Sequence, residues 1–153
     1  MREFKVAKGF EDKNVILPTR ATKNSAGYDF HIISDRDTFI HPQETIKFHT
    51  GVKAYMEDDE VLLIDIRSSM GIKKSIVLAN VQGVIDADFV DNPDNDGEIM
   101  IALTNIGDKA QAIEPNARVA QGVFIKYLTT DNDEVDAERV GGVGSTNARP
   151  KEN

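Results

Sequence analysis

Residues 80–105 read NVQGVIDADFVDNPDNDGEIMIALTN, and the rest of the chain is organised around them. A lone polar Asn80 follows the apolar run Ile76-Val77-Leu78-Ala79, the chain turns at Gly83, and Asp86 stands directly behind Val84-Ile85, poorly placed for solvation. Alternation resumes from Glu98 to Leu103, so two extended arms bracket the polar tip Asp91 to Gly97, which is the pattern of a long β-hairpin. Arms that splay around a side chain such as Asn80 suit the hydrogen-bonding edge of a flat heterocycle, with Asp86 close by as a base. An ordinary hairpin with a solvated acidic tip explains the same residues, and both readings stand at this point.

Working outward, Glu3 to Lys8 alternates as EFKVAK, and Asp29 to Ile33, Thr45 to Thr50, Val52 to Met56, Val61 to Ile66 and Arg118 to Tyr127 each read as strands. About ten such candidates, with no long amphipathic helix, predict an all-β domain of jelly-roll-like or barrel form. Beyond Leu128 the pattern dissolves into a polar, acidic stretch and then Gly141-Gly142-Val143-Gly144-Ser145-Thr146, with too few apolar groups to fold by packing alone. The expected division is a core over 1–128 and a linker with a glycine-rich arm over 129–153.

A chain of 153 residues is the length of one domain that can enclose one core. Its 26 acidic against 18 basic residues give a formal charge of −8, which repels a nucleic-acid backbone over most of the surface. A small nucleotide is not excluded, because a few basic side chains in one cleft can hold a triphosphate with a divalent cation. There is no cysteine, which removes disulfides, thiol nucleophiles and cysteine-bound zinc. No apolar run approaches the roughly 20 residues that cross a bilayer, and MREFKVAKGFEDK lacks the apolar centre of a secretory signal, so the expected compartment is cytoplasmic, with no membrane partner.

Several short pieces carry chemistry. Ala26-Gly27 let a group approach the backbone, and Asp29 is either a structural carboxylate or an indirect ligand of a cation. Arg67, Ser68, Ser69 and Gly71 offer a charged fork, two hydroxyls and a tight turn that suit phosphate oxygens; a serine capping a short helical segment through Lys74 explains them equally well. Gln121 sits among apolar residues, as a structural amide or as a ligand reader. His31, His41 and His49 lack metal-ligand spacing, and the acidic run Glu57 to Glu60 reads as a solvated turn. The glycine-rich end can wrap a phosphate through its amides or have no task at all.

Taken in order, AGYDF (26–30), RSSMG (67–71), NVQGVIDADF (80–89), RVAQ (118–121) and GGVGST (141–146) resemble the five motifs of the trimeric dUTP pyrophosphatases, over nearly the whole chain. The resemblance implies a distorted jelly-roll-like β-barrel in a homotrimer with exchanged C-terminal arms and three shared sites. It implies hydrolysis of dUTP to dUMP and pyrophosphate, keeping uracil out of DNA. Asn80, Gly83, Ile85 and Met100 would hold uracil, Phe89 would pack under the deoxyribose, and Asp86 would deprotonate the water that attacks the α-phosphorus. Arg67, Ser68, Ser69, Gln121, Arg139, Gly144, Ser145 and Thr146 would hold phosphates, and a Mg2+ ion on the triphosphate would have its waters held by Asp29.

Three departures from the family pattern stand out. Val143 replaces a phenylalanine that stacks on uracil, Arg139 lies unusually close to Gly141 with Arg149 as a competitor, and Val90 to Asp96 (VDNPDND) is longer than the usual connection. Two other functions remain open. One is the dCTP deaminases, which resemble this family but need a glutamate at the pyrimidine C4 where this chain has NVQGVIDADF. The other is a nucleotide-dependent regulator that grips a basic protein surface with the Val90–Asp96 insertion.

Overall fold

Alternating side chains make strands because successive Cβ atoms point to opposite faces, and strands dominate the computed structural model, which describes residues 1–144. In chain order they are β1 Glu3–Val6, β2 Thr19–Arg20, β3 Tyr28–His31, β4 Thr38–Ile40, β5 Thr45–His49, β6 Val52–Tyr55, β7 Glu60–Ile66, β8 Ile76–Leu78, β9 Gly83–Asp86, β10 Met100–Asn105, β11 Gln111–Ile113 and β12 Arg118–Lys126. Helix among the described residues is limited to a π-helical turn, Ser69–Lys73, and a 3-10 turn, Ala87–Phe89. The expected all-β, jelly-roll-like architecture is therefore the one found. None of this helix is long and apolar enough to cross a membrane.

The pairings are antiparallel and form sheets ordered β2-β3-β12-β7-β9, β5-β10-β8, β1-β6 and β11-β4. β12 is the spine, pairing with β3 on one flank and with β7 on the other. The inner faces meet around Phe30, Leu62, Ile64, Ile76, Leu103 and Val119, all essentially inaccessible to solvent. The opening strand docks as its alternation predicts. Phe4 faces inward, with ring centroids 5.3 Å from Tyr28, 5.3 Å from Phe124 and 5.6 Å from Phe30, and each such pair adds about 0.5–1.5 kcal/mol beyond simple burial.

Two expectations are corrected. The arms Val84–Phe89 and Glu98–Leu103 do not form a hairpin with each other: β9 pairs with β7, and β10 pairs with β5 and β8. The apolar run at Ile76–Leu78 competes for β10 and wins, because Leu78 opposite Leu103 closes the core where an acidic tip could not. The acidic run before β7 is not merely solvated either. Glu60 is buried and accepts from Arg2 Nε at 2.7 and 2.8 Å, tying the chain start to β7.

The 90–97 loop is also internally held. Lys53, on β6, reaches Asp91 and lies 2.8 Å from Asp96, while Tyr55 donates to both Asp91 oxygens and the Lys8 amide donates to Asp96 at 2.7 Å. Burial works against the Lys53 charge, yet its bonds to Asp91, Asp96 and Tyr55 outweigh this and hold the ammonium well above its usual range. Burial likewise raises Asp96, but Lys53 and the Lys8 amide bring its carboxyl below the ordinary value.

Asn105 fastens the opposite end of β10. Fully buried, its Nδ2 donates to the Ile40 and Lys109 carbonyls at 2.8 Å each, and its Oδ1 accepts from the Gly107 amide at 2.9 Å. Asn105→Ala leaves those groups unpaired and should cost about 2–4 kcal/mol, read as a lower urea midpoint at unchanged slope. For the loop, the depressed Asp96 contributes stability above the ordinary carboxyl value and loses it as pH falls through the folded one; the raised Lys53 loses its share only in strong alkali. The stability gap between wild type and Lys53→Met should therefore hold steady from about pH 5 to 9 and narrow below about pH 4, measured by urea titration across pH.

Candidate active site

Because β9 and β10 hydrogen-bond away from each other, a gap stays open between their near edges. It forms a cavity of about 410 Å³. β9 is the outermost strand of its sheet, and the β8 ladder reaches β10 only from Leu103 onward, extended by the Ala79 amide donating to the Ala102 carbonyl at 2.9 Å. Gly83, Ile85 and Asp86 line one side, Met100 and Ala102 the other, Asn80 stands at the turn between β8 and β9, and Phe89 lies at the inner end. All six residues expected to hold a base and sugar or to act as base therefore share one cavity.

The turn at Asn80 is tight. The Val81 amide donates to the Leu78 carbonyl at 3.0 Å and the Gln82 amide to the Asn80 carbonyl at 2.7 Å, with Val81 held at a φ of 65°. A β-branched residue rarely adopts that conformation, and such strain persists where the surroundings dictate it. On the other side, Glu98 is buried and accepts from the Thr50 amide at 3.2 Å, the Gly51 amide at 3.1 Å and His49 Nδ1 at 3.0 Å, fixing the segment that leads into Met100. The sequence reading missed Glu98; its isolation before an apolar run is the signal it left.

Asp86 is half exposed at the cavity rim. Arg139 bridges it to Asp88, with Nη2 2.6 Å from Asp86 Oδ2 and Nε 2.7 Å from Asp88 Oδ1, and its guanidinium carbon sits 5.6 Å from the Phe89 ring centre. Gly142, Val143 and Gly144 complete the mouth of the cavity. Ser145, Thr146 and the competing Arg149 lie outside the described residues.

The other expected phosphate group gathers elsewhere. Asp29 and Gln121 are register partners across β3 and β12, and Asp29 sits between two guanidiniums, 3.2 Å from Arg67 Nε and 3.1 Å from Arg118 Nη1. A β-bulge between Arg118 and Ala120 precedes this pairing. Gly27 lets the Gln121 side chain lie against the backbone here: a Cβ would fall 2.6 Å from Gln121 Oε1, so a larger residue would push that amide aside. Ser68 precedes the π-helical turn without making a side-chain cap bond, so the turn exists but the hydroxyl is not consumed by it. None of Asp29, Arg67, Ser68, Ser69 or Gln121 lines the cavity of the same chain.

The two groups occupy different parts of the five-stranded sheet. The register runs Asp29, Gln121, Asp65 across β3, β12 and β7, and Gln82 Nε2 continues the row by donating to Asp65 at 2.8 Å. By strand alternation Val84 shares that face, which is opposite to buried Ile64 and Leu62; Val84 is 59% exposed. The sheet thus carries a row of carboxylates and amides, flanked by Arg67 and Arg118, on an outer, partly apolar face and a heterocycle-sized slot along its edge.

Comparison with known proteins shows what the chain and its fold are similar to. The chain is 42% identical over 150 residues to the deoxyuridine 5'-triphosphate nucleotidohydrolase of Lactococcus lactis, covering 97% of this chain and 99% of that one. It is 35% identical over 136 residues to the protein of the same name from Acinetobacter baylyi, covering 85% and 87%. The crystal structure of the Streptococcus mutans dUTPase superposes with a TM-score of 0.75 at 40% identity, over 84% of this chain and 98% of that one. The dUTPase from phage phi11 of S. aureus shares the fold at a TM-score of 0.70 and 20% identity, over 90% and 97%. The family model for dUTPase matches residues 13–147, nearly nine-tenths of the chain, and the chain belongs to the dUTPase family.

Proposed function

We propose that this chain hydrolyses dUTP to dUMP and pyrophosphate, with Asp86 as the general base that activates the attacking water. The observation that carries this reading is the gap between β9 and β10. It sets a strand edge and the Asn80 amide against a flat ring and leaves the Asp86 carboxylate at the rim, where the α-phosphorus of a seated nucleotide would lie. A slot bounded by two backbones is narrow, which disfavours the thymine methyl. Phe89 at its inner end supplies an apolar floor for the sugar, where a 2′-hydroxyl would collide.

Arg67, Ser68, Ser69 and Gln121 are assigned to the phosphates, and the separation of this row from the slot supports a site shared between subunits. A homotrimer, with the partly apolar outer sheet face near the contact, brings one chain's row to a neighbour's slot. Arg139 is assigned to the phosphates as well, and to serve there its guanidinium must leave Asp86 and Asp88, which frees the base as substrate enters. In a trimer with exchanged arms, the Arg139–Gly144 segment of one chain would meet the slot of another. With Val143 in place of an aromatic ring, the arm covers uracil without stacking on it.

For magnesium, the donor set decides which arrangement fits. No group of three or more His, Cys, Asp or Glu among the described residues could hold a metal ion, and Asp29 is already engaged by two arginines. This fits a cation that arrives chelated by the triphosphate, with Asp29 keeping lone pairs for its waters, better than one resident in the protein. When bound, such an ion supplies charge neutralisation and holds the phosphates in a reactive geometry. The chain's own part is to orient the nucleotide, hold the water at Asp86 and offer donors to the phosphate oxygens.

A regulatory reading of the Val90–Asp96 insertion finds less support. Asp91 and Asp96 are paired with Lys53, and Asp94 accepts the Gly142 amide, so the loop's acids are largely spent within the chain. The deaminase alternative is decided by an assay: dCTP should release no ammonia.

Pyrophosphate release should be fast with dUTP and slower by orders of magnitude with dCTP, dTTP and UTP; comparable rates would reject the slot as a uracil deoxynucleotide reader. Asp86→Asn should keep dUTP binding by calorimetry while kcat drops at least about a thousandfold, because the geometry survives and the base does not. Removing residues 139–153 should lower turnover with the far-ultraviolet circular dichroism unchanged, since no strand lies in that part of the described chain.

A further inference from the structure

We propose that the 90–97 loop is a dock that seats the C-terminal segment over the slot, with Asp94 as the positioning residue that grips it. The inference rests on the dUTP reading for its effect on turnover, but not for the docking itself. After Lys126 the chain runs exposed through residue 138; burial returns first at Arg139, whose side chain is 9% exposed against Asp86, Asp88 and Phe89, and then at Gly141 and at Gly142, which meets the loop. There the Gly142 amide donates to Asp94 Oδ2 at 2.6 Å within one chain, and where arms are exchanged in a trimer the same seat receives the identical segment of a neighbour, so the dock works in either arrangement.

The fit is steric as well as polar. A Cβ at residue 142 would stand 3.1 Å from Asn92 Oδ1, 3.3 Å from Asp94 Cβ and 3.4 Å from Asn95 Oδ1, so the loop closes around a glycine backbone and leaves almost no room for a side chain. The seat is rigid. Asn92 is buried, donates to the Phe89 carbonyl at 2.8 Å and to Asn95 Oδ1 at 2.7 Å, and accepts the amides of Asp94 at 3.0 Å and Asn95 at 3.2 Å.

The loop thereby has a use for its extra length. Phe89 ends the wall of the slot, and the loop that starts beside it carries the arm's anchor, so the anchored segment Gly142–Gly144 falls across the mouth of the same slot. Holding that segment near the slot shortens the search that closing over substrate requires, because the chain need only order a few residues around a fixed point. Asp94 is itself exposed, so its replacement can be read without disturbing the core.

The test uses the full chain and two readouts. Trypsin cuts after Arg139 only when that segment lifts, so cleavage there, followed by mass spectrometry without nucleotide, reports docking. Asp94→Ala should speed this cut about tenfold and lower kcat/KM for dUTP about tenfold, Asp94→Asn, which keeps an acceptor, should stay within about twofold on both, and Gly142→Val should behave like Asp94→Ala. Unchanged cleavage in Asp94→Ala, faster cleavage with unchanged kcat/KM, or an Asp94→Asn loss as large as that of Asp94→Ala would each overturn the dock. If the wild-type chain leaves dUTP intact, the substrate reading fails and the cleavage comparison alone decides the dock.

Discussion

Buried backbone must be hydrogen-bonded, and in this molecule β9 and β10 both meet that demand by turning away from each other. β9 leans on β7, and β10 is held between β5 and β8. The gap between them is therefore a permanent consequence of how the sheets are satisfied. Everything assigned to the base and sugar is arranged around it: the strained turn at Val81 presents Asn80, the buried Glu98 fixes the approach to Met100, and Phe89 closes the inner end.

Charge is arranged with the same economy. The chain is strongly acidic, yet Asp29 is flanked by Arg67 and Arg118, Asp86 and Asp88 by Arg139, and Asp91 and Asp96 by Lys53. These pairs lie where the two parts of the candidate site and its arm are built, and they do different things. Lys53 stiffens a loop. Asp29 orients two guanidiniums at the end of a sheet, and Arg139 occupies the carboxylate that the proposed reaction needs, so in that reaction substrate phosphates and Asp86 would compete for one cation. Coulomb energy at the half-exposed Asp86 is modest enough for that exchange to be reversible.

The letters of the sequence already contained the strands of the core, because a period of two is a local property. β1, β5, β6, β7 and β12 fall within a residue or two of where alternation predicts them. Local pattern did not reveal partners. Glu98 to Leu103 looks like the return arm of a hairpin, but pairing depends on which neighbour completes a buried face, and the Ile76–Leu78 run, distant in the chain, does so better. The acids of the loop and of the run before β7 misled for a related reason: whether a carboxylate is solvated depends on a lysine or arginine brought from about 40 or 60 positions away, as Lys53 and Arg2 are here.

By itself, then, the sequence determined the all-β class, the single core, the order of five motifs and the residue types able to read a heterocycle, accept a proton or hold a phosphate. Only the tertiary structure decided that these residues divide into a slot at a sheet edge and a row on its outer face, that Arg139 rests on Asp86, and that the long loop grips Gly142. Side-chain chemistry and strand period are carried by neighbours in the chain. Which edge stays open, and which charge meets which, follows from long-range packing that, among the described residues, leaves no buried side-chain polar atom without a partner.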